Sequence, residues 1–197
     1  MENTEQIRSF IAIELPEELK LELGRLQASL RVDRPRIKWV DPNSMHLTLK
    51  FLGNVPAAKI DAITRAMTES AAKISPFQLE VGRLGAFPSL KQAQVVWVGL
   101  CGELDRIRQL HAFLEASLSR LGFATEKRPF SPHLTQARVG NEASPDERQR
   151  LGELIATTSF GADKVIRVNS INLMRSQLTS QGAIYTKISS AELKQDR

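Results

Sequence analysis

The chain has 197 residues, which suits one domain of ordinary size or two small lobes folded together. Hydrophobic residues make up 42% and charged residues 25%, with a formal net charge of +5, so the composition excludes a disordered chain. One cysteine excludes an internal disulfide and thiolate-rich zinc or iron–sulfur sites. Three histidines limit imidazole chemistry to three positions.

The sequence shows no targeting segment. Residues 1–9 mix acids, amides and one arginine without an apolar core, which argues against a signal peptide. No apolar run approaches the roughly 18 residues that a membrane span needs. We therefore expect a cytoplasmic protein that is not associated with a membrane, and a single cysteine fits a reducing compartment.

Predicted strands and helices alternate only partly along the chain. Leucines 19, 23, 26 and 30 mark one helical face after Pro16, and later segments repeat this spacing. Helices are predicted over residues 17–30, 60–74, 104–121 and 145–155, and strands over 9–15, 37–40, 45–52, 77–87, 95–100, 133–139, 165–175 and 183–188. The last strands follow one another without a helix, joined by a hairpin turn at residues 180–182, which predicts an α+β fold with much antiparallel pairing.

One short motif occurs twice, as HLTL at residues 46–49 and as HLTQ at residues 133–136. The residues that follow are also shared. Each copy continues with Gly-Asn and then a proline that opens a helix, namely Gly53, Asn54 and Pro56 in one and Gly140, Asn141 and Pro145 in the other. The shared order predicts an internal repeat around residues 46–75 and 133–157 within a single domain.

The repeated motif has the composition of an acid–base site. Residues two apart on a strand face the same side, so His46 lies with Thr48 and His133 lies with Thr135. If the two strands lie side by side, two imidazoles and two hydroxyls converge in one cleft. Two imidazoles in opposite protonation states can act as general base and general acid. Threonine hydroxyls can donate to phosphoryl oxygens and hold the phosphorus between them.

The histidines also have structural and metal-binding interpretations. A lone histidine on a strand is more often structural, but two of the three histidines lie in matched motifs. Two histidines could bind a metal, yet no third histidine, cysteine or acidic residue has suitable spacing. His111 lies at helical spacing from Ile107 and Leu114, and we interpret it as a packing residue. No metal or other cofactor is therefore expected.

The paired motif and its surroundings resemble the 2H phosphoesterase superfamily. Within it, the chain is similar to the RNA 2′,3′-cyclic phosphodiesterases, also called 2′-5′ RNA ligases. The segments that carry the resemblance are residues 8–14 (RSFIAIE), 39–53 (WVDPNSMHLTLKFLG), 84–89 (LGAFPS), 131–138 (SPHLTQAR) and 172–176 (NLMRS). They span nearly the whole chain.

The resemblance implies two pseudo-symmetric lobes, each a mainly antiparallel sheet with helices outside, and an active-site cleft between them. It also implies metal-independent hydrolysis of terminal 2′,3′-cyclic phosphates to 2′-phosphates. By this similarity His46 donates a proton to the leaving 3′ oxygen and His133 activates water. Thr48 and Thr135 would bind the phosphate. The spacing alone does not decide which histidine is the acid.

The resemblance also gives a role to Arg138, which follows the second histidine by five residues. Five is an odd offset, so a bulge or a strand end must turn Arg138 toward the cleft. Phe51 matches it in the first copy, and the pair could sandwich a base, with Arg138 also binding phosphate. Alternatively, Phe51 belongs to the core. Gln136 departs from the family's apolar residue but faces away from His133, so we expect little effect on catalysis.

Three functions remain open from the sequence. The first is cyclic phosphodiesterase activity, with reversible 2′-5′ ligation by the same groups. The second is an RNA-binding or RNA-end-sensing module with little turnover, and the third is a 2H enzyme acting on another cyclic phosphate or a 2′-5′ linkage. Cations before the two motifs either neutralise RNA phosphates or are solvated, namely Arg31, Arg34, Arg36, Lys38, Lys127 and Arg128. The expected partner is RNA with a cyclic end, or a cyclic nucleotide, with no obligate protein partner.

Overall fold

A computed structural model describes residues 5–30, 36–161, 164–180 and 182–194. Within these ranges the chain forms nine strands and four α-helices. The strands are β1 (Gln6–Glu14), β2 (Ile37–Trp39), β3 (His46–Pro56), β4 (Phe77–Phe87), β5 (Val95–Gly102), β6 (His133–Val139), β7 (Val165–Val168), β8 (Ser170–Thr179) and β9 (Gly182–Glu192). The helices are α1 (Glu17–Leu30), α2 (Ile60–Ala71), α3 (Leu104–Ser119) and α4 (Pro145–Thr157). None of them is long and apolar enough to cross a membrane.

The strands form two sheets in which every pairing is antiparallel. Across the described residues the first sheet has the order β3-β1-β8-β9 and the second β2-β6-β5-β4-β7. Helix α2 packs on β8 and β9 of the first sheet, and α4 packs on β4 of the second. Each sheet takes strands from both halves of the chain, so the lobes are interleaved. The predicted two-lobed α+β architecture is confirmed.

One large hydrophobic core joins the two lobes. It includes Leu47 and Leu134, the residues that directly follow the two motif histidines, and both are fully buried. On β4 the alternation of Phe77, Leu79 and Val81 with polar residues puts the apolar side chains into this core. Burying the leucine of each motif fixes its strand so that the histidine and threonine face outward from the core.

A capping box stabilises the start of α4, where the sequence predicts that Pro145 opens a helix. The Ser144 hydroxyl accepts a hydrogen bond from the Glu147 backbone N–H at 3.2 Å. The Glu147 carboxylate accepts one from the Ser144 N–H at 2.7 Å, which completes a capping box with Pro145 in the first turn. Arg36 at the start of β2 also forms an ion pair with Glu147 at 2.9 Å. This ion pair ties the edge strand of the second sheet to α4.

The prediction of one strand over residues 165–175 is wrong. The segment forms β7, which pairs with β4 in the second sheet, and β8, which pairs with β1 in the first sheet. Asn169 separates them. Ile166 and Val168 of β7 and Ile171 and Leu173 of β8 are buried in the shared core, so the alternation changes phase between the two strands, where the chain passes from one sheet to the other. The hairpin between β8 and β9 is present, with Thr179 paired to Gly182, although Gln181 lies outside the described residues.

The first motif strand is longer than predicted. Gly53 and Asn54 were expected to end it, but β3 pairs with β1 as far as Pro56. Gly53 has a φ of 73°, which fits a glycine at an irregular point of the ladder. Pro56 therefore ends a strand, and a 3-10 turn at Ala57–Lys59 separates it from α2. In the second copy Pro145 does open a helix directly.

Candidate active site

The two motif strands lie against each other where the lobes meet. The Met45 sulfur, just before His46, lies 3.6 Å from the Nε2 atom of Gln136 on β6. Gln27 of α1 bridges the same region, since its amide donates to the Val40 carbonyl at 2.8 Å and the Gln136 carbonyl at 3.1 Å. The structure thus brings together two motifs that are 87 residues apart in the sequence.

The two motifs have the same pattern of burial over residues 46–51 and 133–138. In each, the histidine and threonine are half-buried and the leucine between them is buried. The next two residues are both buried, and the sixth is exposed. Two consecutive buried residues break the alternation of a regular strand, so each strand must be irregular at this point.

A β-bulge occurs at the same position in both motifs. On β3, Leu49 has no partner, because Ile11 pairs with Lys50 while Ala12 pairs with Thr48. On β6, Gln136 is left without a partner by a matching register shift against β5. A bulge adds one residue and so reverses which face the following side chains occupy.

The bulges explain the odd offset of the plus-five residues. After the extra residue, Phe51 returns to the face that carries His46, and Arg138 returns to the face that carries His133. Phe51 is 63% exposed, so it does not belong to the core, and Arg138 is exposed as well. Of the two predicted possibilities, a bulge or a strand end, the structure has the bulge.

Each histidine is held by a backbone carbonyl two residues before it. The Nδ1 atom of His46 lies 2.9 Å from the Ser44 carbonyl oxygen, and that of His133 lies 2.7 Å from the Ser131 carbonyl oxygen. A carbonyl can only accept, so Nδ1 carries the proton in both rings. The Nε2 atoms are then the positions that give or take a proton in a reaction.

Aromatic side chains from two other strands of the first sheet surround His46. Phe10 of β1 stacks on the imidazole at 4.5 Å between ring centroids, and Tyr185 of β9 meets it edge-on at 5.0 Å. Burial lowers the pKa of His46, and the hydrogen bond to the Ser44 carbonyl opposes this only in part. The neutral ring, with Nε2 as an acceptor, is therefore favoured in the free protein at neutral pH.

His133 has its own aromatic neighbours on the second sheet. Phe87 meets it edge-on at 5.1 Å, and Phe87 also lies 5.1 Å from Trp97. Trp97 pairs with Thr135 across β5 and β6, and its indole covers Gly85 so closely that an added Cβ would clash with it. A residue larger than glycine at position 85 would displace the ring beside the motif.

Gln136 and His111 lie in the structure as the sequence predicts. Gln136 is fully buried, and its amide donates to the Leu134 carbonyl at 3.2 Å, so it faces away from His133 as predicted. His111 stacks on Phe130 at 4.1 Å and is 8% exposed, which confirms that it is a packing residue. The basic residues Lys127 and Arg128 are exposed in the loop before β6. Arg31 and Arg34 lie outside the described residues.

The described part of the chain contains no group of three histidine, cysteine, aspartate or glutamate residues close enough to hold a metal ion. A catalytic zinc site ordinarily takes three protein ligands. Whether the reaction is independent of metal stays a prediction, and a chelator tests it.

Residues 13–97 and residues 98–185 each match the model of the family described as LigT like Phosphoesterase. The chain belongs to the LigT-like phosphoesterase family. The two matches divide at Trp97, so each half contains one copy of the histidine motif.

Named relatives of this LigT-like chain have similar lengths. The RNA 2′,3′-cyclic phosphodiesterase of Methanothermobacter thermautotrophicus is 33% identical over 181 residues, which is 92% of this chain and 96% of that protein. The enzyme of the same name from Aquifex aeolicus is 32% identical, over 77% of this chain and 79% of that protein. Escherichia coli LigT complexed with 3′-AMP has a TM-score of 0.78 at 25% identity, over 97% of this chain and 100% of that one.

Proposed function

We propose that this LigT-like protein hydrolyses 2′,3′-cyclic phosphate ends of RNA, or cyclic nucleotides, to 2′-phosphomonoesters without a metal. The observation that carries the proposal is the matched pair of imidazoles on β3 and β6, two strands from different sheets that contact each other. Each ring has Nδ1 on its own backbone carbonyl, which leaves Nε2 for proton transfer. The names of the relatives support the same substrate class.

The proposed reaction is a single displacement at phosphorus. Nε2 of His133 takes a proton from water, and the water oxygen forms a bond to phosphorus while the bond from phosphorus to the 3′ oxygen breaks. In the reactive form His46 is protonated on Nε2 and gives this proton to the departing 3′ oxygen, and the product is a 2′-phosphomonoester. Thr48 and Thr135 donate hydrogen bonds to the non-bridging oxygens. With a 5′ hydroxyl in place of water, the same displacement forms a 2′-5′ phosphodiester, which is 2′-5′ ligation.

The nucleotide end would be held beside the reacting phosphate. The bulges bring Phe51 and Arg138 to the faces that carry the histidines, and an aromatic ring and a guanidinium can sandwich a base. The guanidinium also provides donors for a phosphate oxygen. We expect the enzyme to act on RNA in the cytoplasm, where Cys101 would stay reduced.

The first test is hydrolysis of adenosine 2′,3′-cyclic phosphate in the presence of EDTA. Phosphorus NMR should show adenosine 2′-phosphate as the product, because the 3′ oxygen is the proposed leaving group. Strict dependence on an added divalent metal would contradict the mechanism. Tight RNA binding without hydrolysis would instead favour an RNA-end-sensing module.

The pH dependence identifies which histidine is the acid. Replacing Tyr185 with serine exposes one side of His46, and we expect the lowered pKa of His46 to rise toward its usual value. If His46 donates the proton, kcat/KM falls as the pH rises and His46 loses that proton. In Tyr185→Ser the alkaline limb of the pH profile of kcat/KM should therefore move to higher pH. A shift of the acidic limb would mean that His46 is the base. Tyr185→Phe keeps the ring and should leave both limbs in place.

A further inference from the structure

A second basic side chain lies directly beside Arg138 on the same face of the second sheet. Lys38 of β2 pairs with Arg138 of β6, and Val95 of β5 pairs with Arg138 on the other side. Residues that pair directly across two strands share a face. Because the bulge turns Arg138 to the face of His133, Lys38 extends that face to the edge of the sheet.

The two cations face each other without a carboxylate between them. Like charges directly opposite on neighbouring strands repel and destabilise the pair. Among residues 5–30, 36–161, 164–180 and 182–194, no ion pair involves Lys38 or Arg138, whereas Arg36 is paired with Glu147. Both cations are exposed. The arrangement is unfavourable in the free protein and becomes favourable when an anion binds.

An open pocket of about 450 Å³ lies beside this cation pair. Its charged lining within the described residues consists of Arg36, Lys38 and Arg138, with Glu142 as the one carboxylate. The Glu142 carboxylate packs over Gly140. Cations therefore outnumber the carboxylate, and the space can hold a phosphate group.

The position of the pair relative to His133 indicates which phosphate would bind. Arg138 follows His133 by five residues with one taken up by the bulge, which is roughly 13 Å along the strand. Lys38 lies on the next strand, β2, and its Cα atom is about 5 Å from that of Arg138. Lys38 is thus beyond the phosphate that the water activated by His133 would attack, on the far side of the residue proposed to stack on the base.

We propose that Lys38 and Arg138 form a subsite for the phosphodiester immediately 5′ of the terminal cyclic nucleotide. The inference rests on the proposed function and extends it from the cyclic end to the chain that carries it. A cyclic mononucleotide lacks this phosphodiester. The subsite would therefore make the enzyme prefer an oligonucleotide end over a free cyclic nucleotide.

The test compares two substrates in matched variants. The substrates are adenosine 2′,3′-cyclic phosphate and the dinucleotide ApA with a 2′,3′-cyclic phosphate end. Lys38→Gln should lower kcat/KM for the dinucleotide about threefold to tenfold, as for one partly exposed charge-assisted contact, and leave the mononucleotide value unchanged. With a longer cyclic-ended RNA, the slope of log kcat/KM against log salt should become shallower by about 0.7.

Two controls separate the subsite from a general charge effect. Lys38→Arg keeps the cation and should keep the preference for the dinucleotide. Lys91→Gln makes the same change in net charge at an exposed residue of the 3-10 turn Leu90–Gln92, which contacts α4. It should leave kcat/KM unchanged for both substrates.

Equal effects of Lys38→Gln on both substrates, or no effect on either, would overturn the subsite while the proposed function stands. Failure of the unsubstituted enzyme to hydrolyse either substrate would overturn the proposed function, and the subsite with it.

Discussion

Replacing His46 or His133 with asparagine should lower kcat for a cyclic phosphate by about 10²–10⁴-fold in each case. Asparagine carries an amide N–H near the position of Nδ1, so it can still donate to the carbonyl of Ser44 or Ser131 that holds each ring. It has no group at the position of Nε2. The substitution therefore removes proton transfer while retaining the local anchor.

The measurement is single-turnover hydrolysis of the cyclic mononucleotide, together with thermal unfolding of each variant. The double variant should lose less than the two single losses combined, because the two groups act in one step. Gln136→Leu is the matched control, since it changes the second motif at a buried position that faces away from His133. It should retain activity within about twofold. Full activity in either asparagine variant would rule out the His/His mechanism.

Replacing Lys50 with methionine should lower the free energy of unfolding by about 3–5 kcal/mol. Lys50 lies between Thr48 and Phe51 on β3, but the bulge turns it into the interior, where it is 4% exposed. Its Nζ lies 2.6 Å from a carboxylate oxygen of Glu115 on α3 and donates to the Ala124 carbonyl at 2.7 Å. The methionine variant leaves the Glu115 charge in the interior without its partner.

The surroundings of Glu115 explain why it depends on this lysine. Burial by itself would raise the pKa of Glu115, but the hydrogen bonds from Lys50 and the Glu126 N–H outweigh it and lower the pKa. The Glu126 N–H donates to the carboxylate at 2.9 Å. The same loop continues to Phe130, which stacks on His111, and then to His133. Lys50 therefore connects the first motif strand to the loop that leads to the second.

Denaturant unfolding checks this prediction with two comparisons. The double variant Lys50→Met/Glu115→Gln should recover about 2 kcal/mol of the loss, because the amide is uncharged and still accepts the Glu126 N–H. Arg25→Met is the matched surface control, since Arg25 also lies 2.6 Å from its partner, Glu22, but is 75% exposed. It should cost less than about 1 kcal/mol. A Lys50→Met loss as small as the control's would contradict the prediction.

Much of the candidate site could be predicted from the repeated motif. Period two on a strand puts each histidine and its threonine on one face, and this depends only on local backbone geometry. The odd offset of Arg138, together with the role that the resemblance gives it, predicted a bulge or a strand end. We infer that the two halves are copies of one ancestral unit, which the matching burial of residues 46–51 and 133–138 supports.

Other parts of the site could not be predicted, because they depend on strand pairing. Phe10 and Tyr185 reach His46 from β1 and β9, which are distant from β3 in the sequence. Each belongs to an ordinary apolar or alternating segment, and nothing local marks it as a neighbour of a histidine. The pairing of Lys38 with Arg138 has the same origin, since β2 and β6 are about 100 residues apart.

The sequence contains three histidines, which limits imidazole chemistry to three positions. The sequence by itself determined which two of them form a matched pair and that the third, His111, is a packing residue on a helix. It also determined most strands and helices, because periodic burial is a local property of the chain. Only the tertiary structure decided that β7 and β8 belong to different sheets and that His46 is buried enough to lower its pKa. Those outcomes depend on contacts between residues far apart in the chain, which no local pattern specifies.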